Sequence, residues 1–327
     1  MDKRLILLGL NELSIGVLEQ CKLPNTILIT DTRQKSAMDL PGHAELLICS
    51  NKAALQAQLE RLQVSNDDLI ISIGCPWIIE SSHLSLCNHR VLNLHGTHLP
   101  LYRGGTIYSW YILNRRRTGM CLLHKMTKDI DRGGIVAWEE YMIPPSCRIP
   151  LDFMDLYNRM NLEFLSKIIN EWNLQGKHPA DAQATGQPEY LSSYWPRLKA
   201  IDHAWIDWQW PGVELESFIC AFDDPYDGTK TRWREQLVRL KEVYFQSGNL
   251  ANHPFQFGQV FRVNHNWLTV AVNGGELLIN KILGENSEDL LSKIKVGERF
   301  FTTNEDLLNH HTRVFKTQQG LESRKYW

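Results

Sequence analysis

Through the first half of the chain, short wholly apolar runs alternate with amphipathic helical stretches, and this alternation limits the possible folds more than any other feature. Leu5 to Leu8, Thr26 to Thr30, Leu46 to Cys49 and Leu69 to Ile73 read as buried strands. Glu12 to Cys21 and Ala53 to Leu62 carry apolar residues at helical spacing between them. Strand, helix, strand in this order predicts a parallel sheet with helices on its faces, an α/β domain. Arg90 to Leu94, Met120 to Met126 and Ile135 to Trp138 extend the sheet. Thr106 to Asn114 predicts a helix after a loop holding Pro100 and Gly104-Gly105, and Asp152 to Asn173 a long closing helix.

Gln175 to Pro188 breaks the pattern, with Gly176, Pro179, Gly186 and Pro188 and no apolar periodicity, and predicts a linker. Beyond it Leu215 to Ala221 predicts a helix, and Leu237 to Tyr244, Gln259 to Val263, Trp267 to Val272 and Glu276 to Ile282 predict strands. Asn273-Gly274-Gly275 marks a hairpin turn between the last two, because such turns require positive φ. A small antiparallel barrel or sheet is expected here. A chain of 327 residues exceeds one typical core, so two domains follow: residues 1–190, with a linker near 175–200, and residues 201–327. Asn304 to Phe315 reads as a further helix in a tail without a motif.

A formal net charge of -2 provides no general basic field for a polynucleotide, so no nucleic-acid partner is expected. The cysteines lack a C-x-x-C pair; Cys21, Cys49, Cys75, Cys121 and Cys220 sit in or beside apolar runs, as packed thiols do. Leu5 to Leu8 is too short for a signal peptide or a membrane span, so the cytoplasm is the expected compartment and no membrane partner is expected. The first turn, Gly9 to Ser14, lacks the G-x-G-x-x-G spacing, which argues against a nicotinamide cofactor.

The stretch Val91-Leu92-Asn93-Leu94-His95-Gly96-Thr97-His98-Leu99-Pro100-Leu101-Tyr102-Arg103-Gly104-Gly105 carries the chemistry. Asn93 and His95 lie two apart at a strand end, so they share a face, at the carboxyl edge where parallel sheets bind ligands. Downstream, Asp129-Ile130-Asp131-Arg132-Gly133-Gly134 puts an acid in a glycine-containing loop between two strands, able to fold over a ligand and approach the imidazole.

These elements resemble the N10-formyltetrahydrofolate-dependent formyltransferases. The family pattern of N-x-H, L-P-x-x-R-G, a glycine-led apolar strand and D-x-G is met by Asn93-Leu94-His95, Leu99 to Gly104, Gly119-Met120-Cys121-Leu122 and Asp131-Arg132-Gly133. Trp205-Ile206-Asp207-Trp208 and Ala221 to Gly228 are similar to the C-terminal domain of methionyl-tRNA and some amino-sugar formyltransferases. The resemblance implies a Rossmann-like, mostly parallel N-terminal sheet flanked by helices, a smaller OB-like barrel after it, and Asn93, His95 and Asp131 as the catalytic set. Asn93 would donate to the developing oxyanion and His95 would exchange protons. Asp131 would either orient His95 or accept the amine proton through water. It further implies that the pteridine of N10-formyltetrahydrofolate lies beneath Pro76, Trp77 and Ile78 and against Asp129 and Ile130. Thr97, His98, Tyr102, Arg103 and Gly104 are the acceptor-side candidates.

Other readings attach to several of these residues. His98 departs from the usual apolar family position; no cluster completes a zinc set with it, so no metal is expected. Gly134 stands where the family often has an acid. Asp129 reads as a solvated loop residue, or one that helps fix the folate loop, rather than as a second acid. Arg115-Arg116-Arg117 reads as a solvated helix end. Phe222, Asp224 and Tyr226 fit structural turns.

Near-neutral charge and the lack of a basic insertion between Thr30 and Ala44 favour a nucleotide-linked amino deoxysugar of surface polysaccharide synthesis as acceptor. The rivals are methionyl-tRNA formyl transfer and, from another class, a catalytically silent nucleotide-sugar binding module. A homodimer is the assembly implied by resemblance.

Overall fold

The computed structural model describes residues 3–33, 40–105, 107–248, 252–317 and 320–325. The segment between Thr30 and Ala44 used above to weigh the acceptor therefore lies partly, at 34–39, outside the described residues. Two compact units emerge: Met1–Arg103 with Thr118–Met142 and Asp155–Tyr194, and Gly104–Arg117 with Ile143–Met154 and Trp195–Trp327.

The first unit is built on β1 (Leu5–Leu8), β2 (Thr26–Asp31), β3 (Ala44–Cys49), β4 (Leu69–Ser72), β5 (Val91–His95), β7 (Thr118–Lys125) and β8 (Ile135–Met142); the two-residue β6 (Arg103–Gly104), between β5 and β7 in the chain, is not part of its main sheet. Its seven-stranded sheet has the order β3-β2-β1-β4-β5-β7-β8. The first five strands run parallel, and β7 and β8 are antiparallel to their neighbours. The central β1 and β4 are buried at every position, as strands covered on both faces must be.

Helix α1 (Glu12–Cys21) starts at a capping box: the Asn11 side chain accepts from Ser14 N, while Ser14 Oγ accepts from Asn11 N. On one face of the sheet Leu5, Leu7, Leu92 and Leu123 pack with Phe164, Leu165, Ile169 and Trp172 of the long helix α5 (Pro150–Gln175). On the other, Ile6, Leu8, Ile70 and Val91 meet Leu55 and Leu59 of α2 (Lys52–Leu62). A short helix, α3 (Ser81–Leu86), precedes β5. Packing on both faces fixes β5, and with it the residues at its carboxyl end.

After α5 the chain stays on this unit. The His178 ring bonds the Asp68 carbonyl at 3.0 Å, Arg90 pairs with Asp181 at 2.6 Å, and Thr185 bridges Ile135.

The second unit contains α4 (Ile107–Leu113), α6 (Ala200–His203), α7 (Gly212–Ala221) and α8 (Asn304–Leu307). After β9 (Tyr194–Trp195), its strands are β10 (Thr229–Trp233), β11 (Gln236–Ser247), β12 (Val260–Val263), β13 (Leu268–Val272), β14 (Gly275–Leu283) and β15 (Phe300–Phe301). They form an antiparallel sheet in the order β12-β13-β14-β11-β10-β15. Val272 pairs with Gly275 across the expected tight turn, where Gly274 has φ 87. The two ends of the sheet meet: Val260 N donates to Glu298 O, Gly297 N to Val260 O and Phe300 N to Gly258 O. This closes the sheet into a small barrel.

The helix expected over Asn304 to Phe315 is not formed. It is replaced by the single turn of α8, a 3₁₀ turn at Leu308–His311 and the strand β16 (Arg313–Thr317), which pairs with β17 (Gly320–Arg324). Cross-strand pairing gives the last part a ladder that a lone polar-faced helix would not have. All seven cysteines are thiols; Cys49, Cys121 and Cys220 are buried and Cys21 and Cys75 half-buried. No helix among the described residues is long and apolar enough to cross a membrane.

Candidate active site

Strand pairing assembles a polar cluster on one face of the first unit's sheet. Asn93 of β5 faces Ser72 across the parallel pair with β4 and His124 across the antiparallel pair with β7. The Asn93 amide is clamped at both ends: Ser72 Oγ donates to Oδ1 at 2.9 Å, and Nδ2 lies 3.1 Å from His124 Nε2. His124 Nδ1 sits 3.0 Å from the Lys125 carbonyl, which fixes the proton on Nδ1 and leaves Nε2 to accept from Asn93. One Nδ2–H of Asn93 is thereby left without an acceptor among the described residues. Its direction is set by the clamp rather than by solvent.

His95 is 7% exposed, and its Nε2 is buried without a partner among the described residues. Its Nδ1 faces Asp131 Oδ1 at 3.8 Å, and the same oxygen lies 3.8 Å from His124 Nε2. Both contacts are longer than a hydrogen bond, but they put the carboxylate where it favours a proton arriving on either ring. Burial pushes the His95 pKa down, and the Asp131 charge acts against that shift. Burial and the neighbouring His95 bring His124 down to about 4. Both imidazoles are neutral at pH 7.

Asp131 reaches this place through a left-handed backbone, φ 55, which aspartate tolerates better than most residues. Two residues on, a Cβ at Gly133 would lie 1.6 Å from the Lys125 carbonyl oxygen, so only glycine lets the loop pass this close to β7. At the end of β5, a Cβ on Gly96 would meet the Tyr157 ring at 2.4 Å.

The other residues singled out in the sequence are more dispersed. Thr97 Oγ1 donates to the Tyr102 carbonyl at 2.6 Å and closes its own loop. His98 bonds Glu140 at 2.9 Å and stands edge-on to Tyr102. Arg103 is buried and directs its guanidinium at Glu189, Ser192 and Gln187. Gly104 has φ 118. Trp77 is packed into the core beside Ile79, and Pro76 is half-buried. Ile78 and Ile130 are 39% and 63% exposed, and Asp129 is exposed with its carbonyl accepting from Thr127.

Ser72 and His124 were not among the sequence candidates. Only the pairing register brings them to Asn93; the one available hint was a histidine closing the apolar run Met120 to Leu123. His95, His124 and Asp131 could also converge on a cation, their ligand atoms lying within 4.8 Å of one another, although the His124 lone pair already serves Asn93.

Chemically, the cluster offers an oriented N–H donor, a buried neutral imidazole with an uncommitted nitrogen, and a carboxylate at that ring's other nitrogen. It contains no activated serine or cysteine, which suits acyl transfer in which the acceptor is itself the nucleophile.

Residues 24–161 match the family model described as formyl transferase, and residues 200–291 that of the formyl transferase C-terminal domain. A methionyl-tRNA formyltransferase of Geobacter metallireducens is 25% identical over 235 residues, 72% of this chain and 70% of that protein. Among solved structures, the sugar 3N-formyl transferase WlaRD, in the presence of dTDP and 5-N-formyl-THF, superposes with a TM-score of 0.64 at 16% identity, covering 88% of this chain and 99% of its own. An N-formyltransferase from Helicobacter canadensis, complexed with folinic acid and dTDP-3-aminofucose, gives 0.63 at 17% identity, covering 86% and 99%.

Proposed function

We propose that this chain, which belongs to the formyl transferase family, moves a formyl group from N10-formyltetrahydrofolate onto the amine of a nucleotide-linked amino deoxysugar. The observation that carries the reading is the double clamp on Asn93, which leaves one N–H uncommitted on the strand face it shares with His95, whose Nε2 is buried without a partner among the described residues.

The folate donor supplies the formyl carbonyl. A buried imidazole nitrogen lacking a partner among the described residues, together with the exposed side chains of Ile78 and Ile130 on loops after β4 and before β8, fits such a ligand. Asn93 donates its remaining N–H where the carbonyl oxygen gains charge as the acceptor amine attacks. His95, neutral through burial, receives the amine proton at Nε2. Asp131, on the Nδ1 side, stabilises the imidazolium that results. The proton can then pass to the departing folate nitrogen. Ser72 and His124 act as positioning residues for Asn93.

The amino-sugar acceptor is supported by the fold likeness to sugar formyltransferases, two of which were solved with dTDP or a dTDP-sugar, and by the net charge of -2. The sequence similarity to methionyl-tRNA formyltransferases favours a second reading with tRNA as acceptor. Tetrahydrofolate release, measured against a panel of nucleotide-linked amino sugars and against charged initiator tRNA, separates the two. Release with an amino sugar, lowered about 10² to 10³-fold by Asn93→Ala, is the expected result. Release only with tRNA would replace the acceptor, and full activity of Asn93→Ala would sink the mechanism.

A further inference from the structure

The basic run after α4, in the second unit, has a backbone role that its sequence anticipates. The chain turns through Arg115 at φ 49, and the N–H groups of Arg115 and Arg116 cap the helix by bonding the Ile112 and Tyr111 carbonyls, each at 2.9 Å. The side chains do something this capping does not require. Arg115, Arg116 and Arg117 converge with Arg148 on a cavity of about 110 Å³, and the one carboxylate in its wall is Glu216.

A guanidinium has five N–H donors. Arg117 uses Nη1 alone, on the Pro144 and Cys147 carbonyls at 3.2 and 2.8 Å, and meets no carboxylate among the described residues. Arg148 uses Nη2 alone, on Glu216 and the Val243 carbonyl at 2.7 Å each and on Cys220 Sγ at 3.8 Å, while its Cζ lies 3.9 Å from the centre of the Tyr244 ring. Arg115 pairs with Glu214 at 2.7 Å. Arg115 and Arg148 each have a carboxylate partner, whereas the Nε and Nη2 of Arg117 and the Nε and Nη1 of Arg148 have no protein acceptor among the described residues. Burial of Arg116 lowers its pKa, a sign that its charge is partly withdrawn from water. The Cys220 thiol, pushed up to about 12 by burial, adds no negative charge.

We propose that this cavity is a binding site for a phosphate-sized oxyanion, free or as the phosphoryl group of a larger ligand, held by Arg117 and Arg148. The volume suits it: at ~30 Å³ per water, the space takes a few waters or one tetrahedral anion. The chemistry suits it as well, because planar guanidinium groups present paired donors to phosphate oxygens. The segments that carry the two arginines are already pinned by their other nitrogens, so little ordering is left for binding to impose.

The test is calorimetric titration of the full chain with orthophosphate and with phenyl phosphate at fixed ionic strength. Saturable binding is expected, and Arg117→Gln should weaken it roughly tenfold or more, as loss of a charge-assisted contact does. Glu216→Gln, which keeps an oxygen to accept from Phe245 N at 3.1 Å but removes the wall's carboxylate, should tighten it. A gain of this kind cannot come from misfolding. Arg61→Gln, at an exposed arginine of the first unit, serves as the control for non-specific charge loss. Tighter binding of phenyl phosphate marks a phosphoryl group on a larger ligand, and equal or weaker binding marks the free anion. No saturable binding of either, or affinities unmoved by both Arg117→Gln and Glu216→Gln, overturns the site.

Discussion

His95 is held between two opposed influences, burial that disfavours its charged form and the Asp131 carboxylate that favours it, and burial wins. The imidazole is therefore available as a base at neutral pH and loses that role only as pH falls through a pKa below its ordinary ~6.5. Single-turnover rates should accordingly stay level from pH 8 to 6.5 and decline at lower pH. Asp131→Asn removes the influence that raises the pKa, so besides lowering the rate it should move the acid limb to still lower pH. A limb that stays in place would mean that Asp131 does not act through His95. At this scale the sequence was partly legible: the two-residue spacing of Asn93 and His95 specifies a shared face by itself. Ser72 and His124 were not, because each meets Asn93 only through a choice of neighbouring strand and register that no local pattern encodes.

The loop joining β7 to β8 converts strand pairing into site geometry. Its passage over the Lys125 carbonyl depends on the missing side chain at Gly133. Gly133→Ala should displace the loop and carry Asp131 away from His95, lowering formyl transfer at least tenfold while circular dichroism stays native, since the strands on either side pair independently of it. Unchanged kinetics would show that the loop has slack the geometry does not suggest. Elements with strong periodicity were readable almost to the residue, and α1 spans the stretch its apolar spacing marks. The Ser81–Leu86 helix escaped because six residues with two leucines carry no period, and the expected tail helix failed because β16 finds a partner in β17. Gln175 to Pro188 lacks periodicity because its order comes from side-chain anchors, His178 on Asp68 and Asp181 on Arg90, rather than from a repeating face.

For the whole molecule, the buried neutral histidine of the site is also a stability term. His124 has a folded pKa of about 4 against ~6.5 unfolded. Above pH 6.5 it contributes nothing; as pH falls from 6.5 towards 4 the unfolded chain takes a proton that the folded one refuses, and stability drops over that window. The thermal midpoint should fall across it, and the fall should be smaller in His124→Asn, measured by calorimetry at matched ionic strength. An equal fall in both proteins would assign the acid sensitivity elsewhere. The class of each unit was legible from the order of its elements, a parallel sheet from alternation and an antiparallel one from a hairpin signal. What no pattern announced was where the second sheet ends. Residues 297–300 zip against 258–260 and so occupy backbone donors and acceptors that would otherwise lie bare along a terminal strand. A bare strand margin is a template on which another polypeptide can pair. The late, motif-poor stretch of the chain therefore seals this margin, which keeps it from serving as a nucleus for intermolecular strand addition.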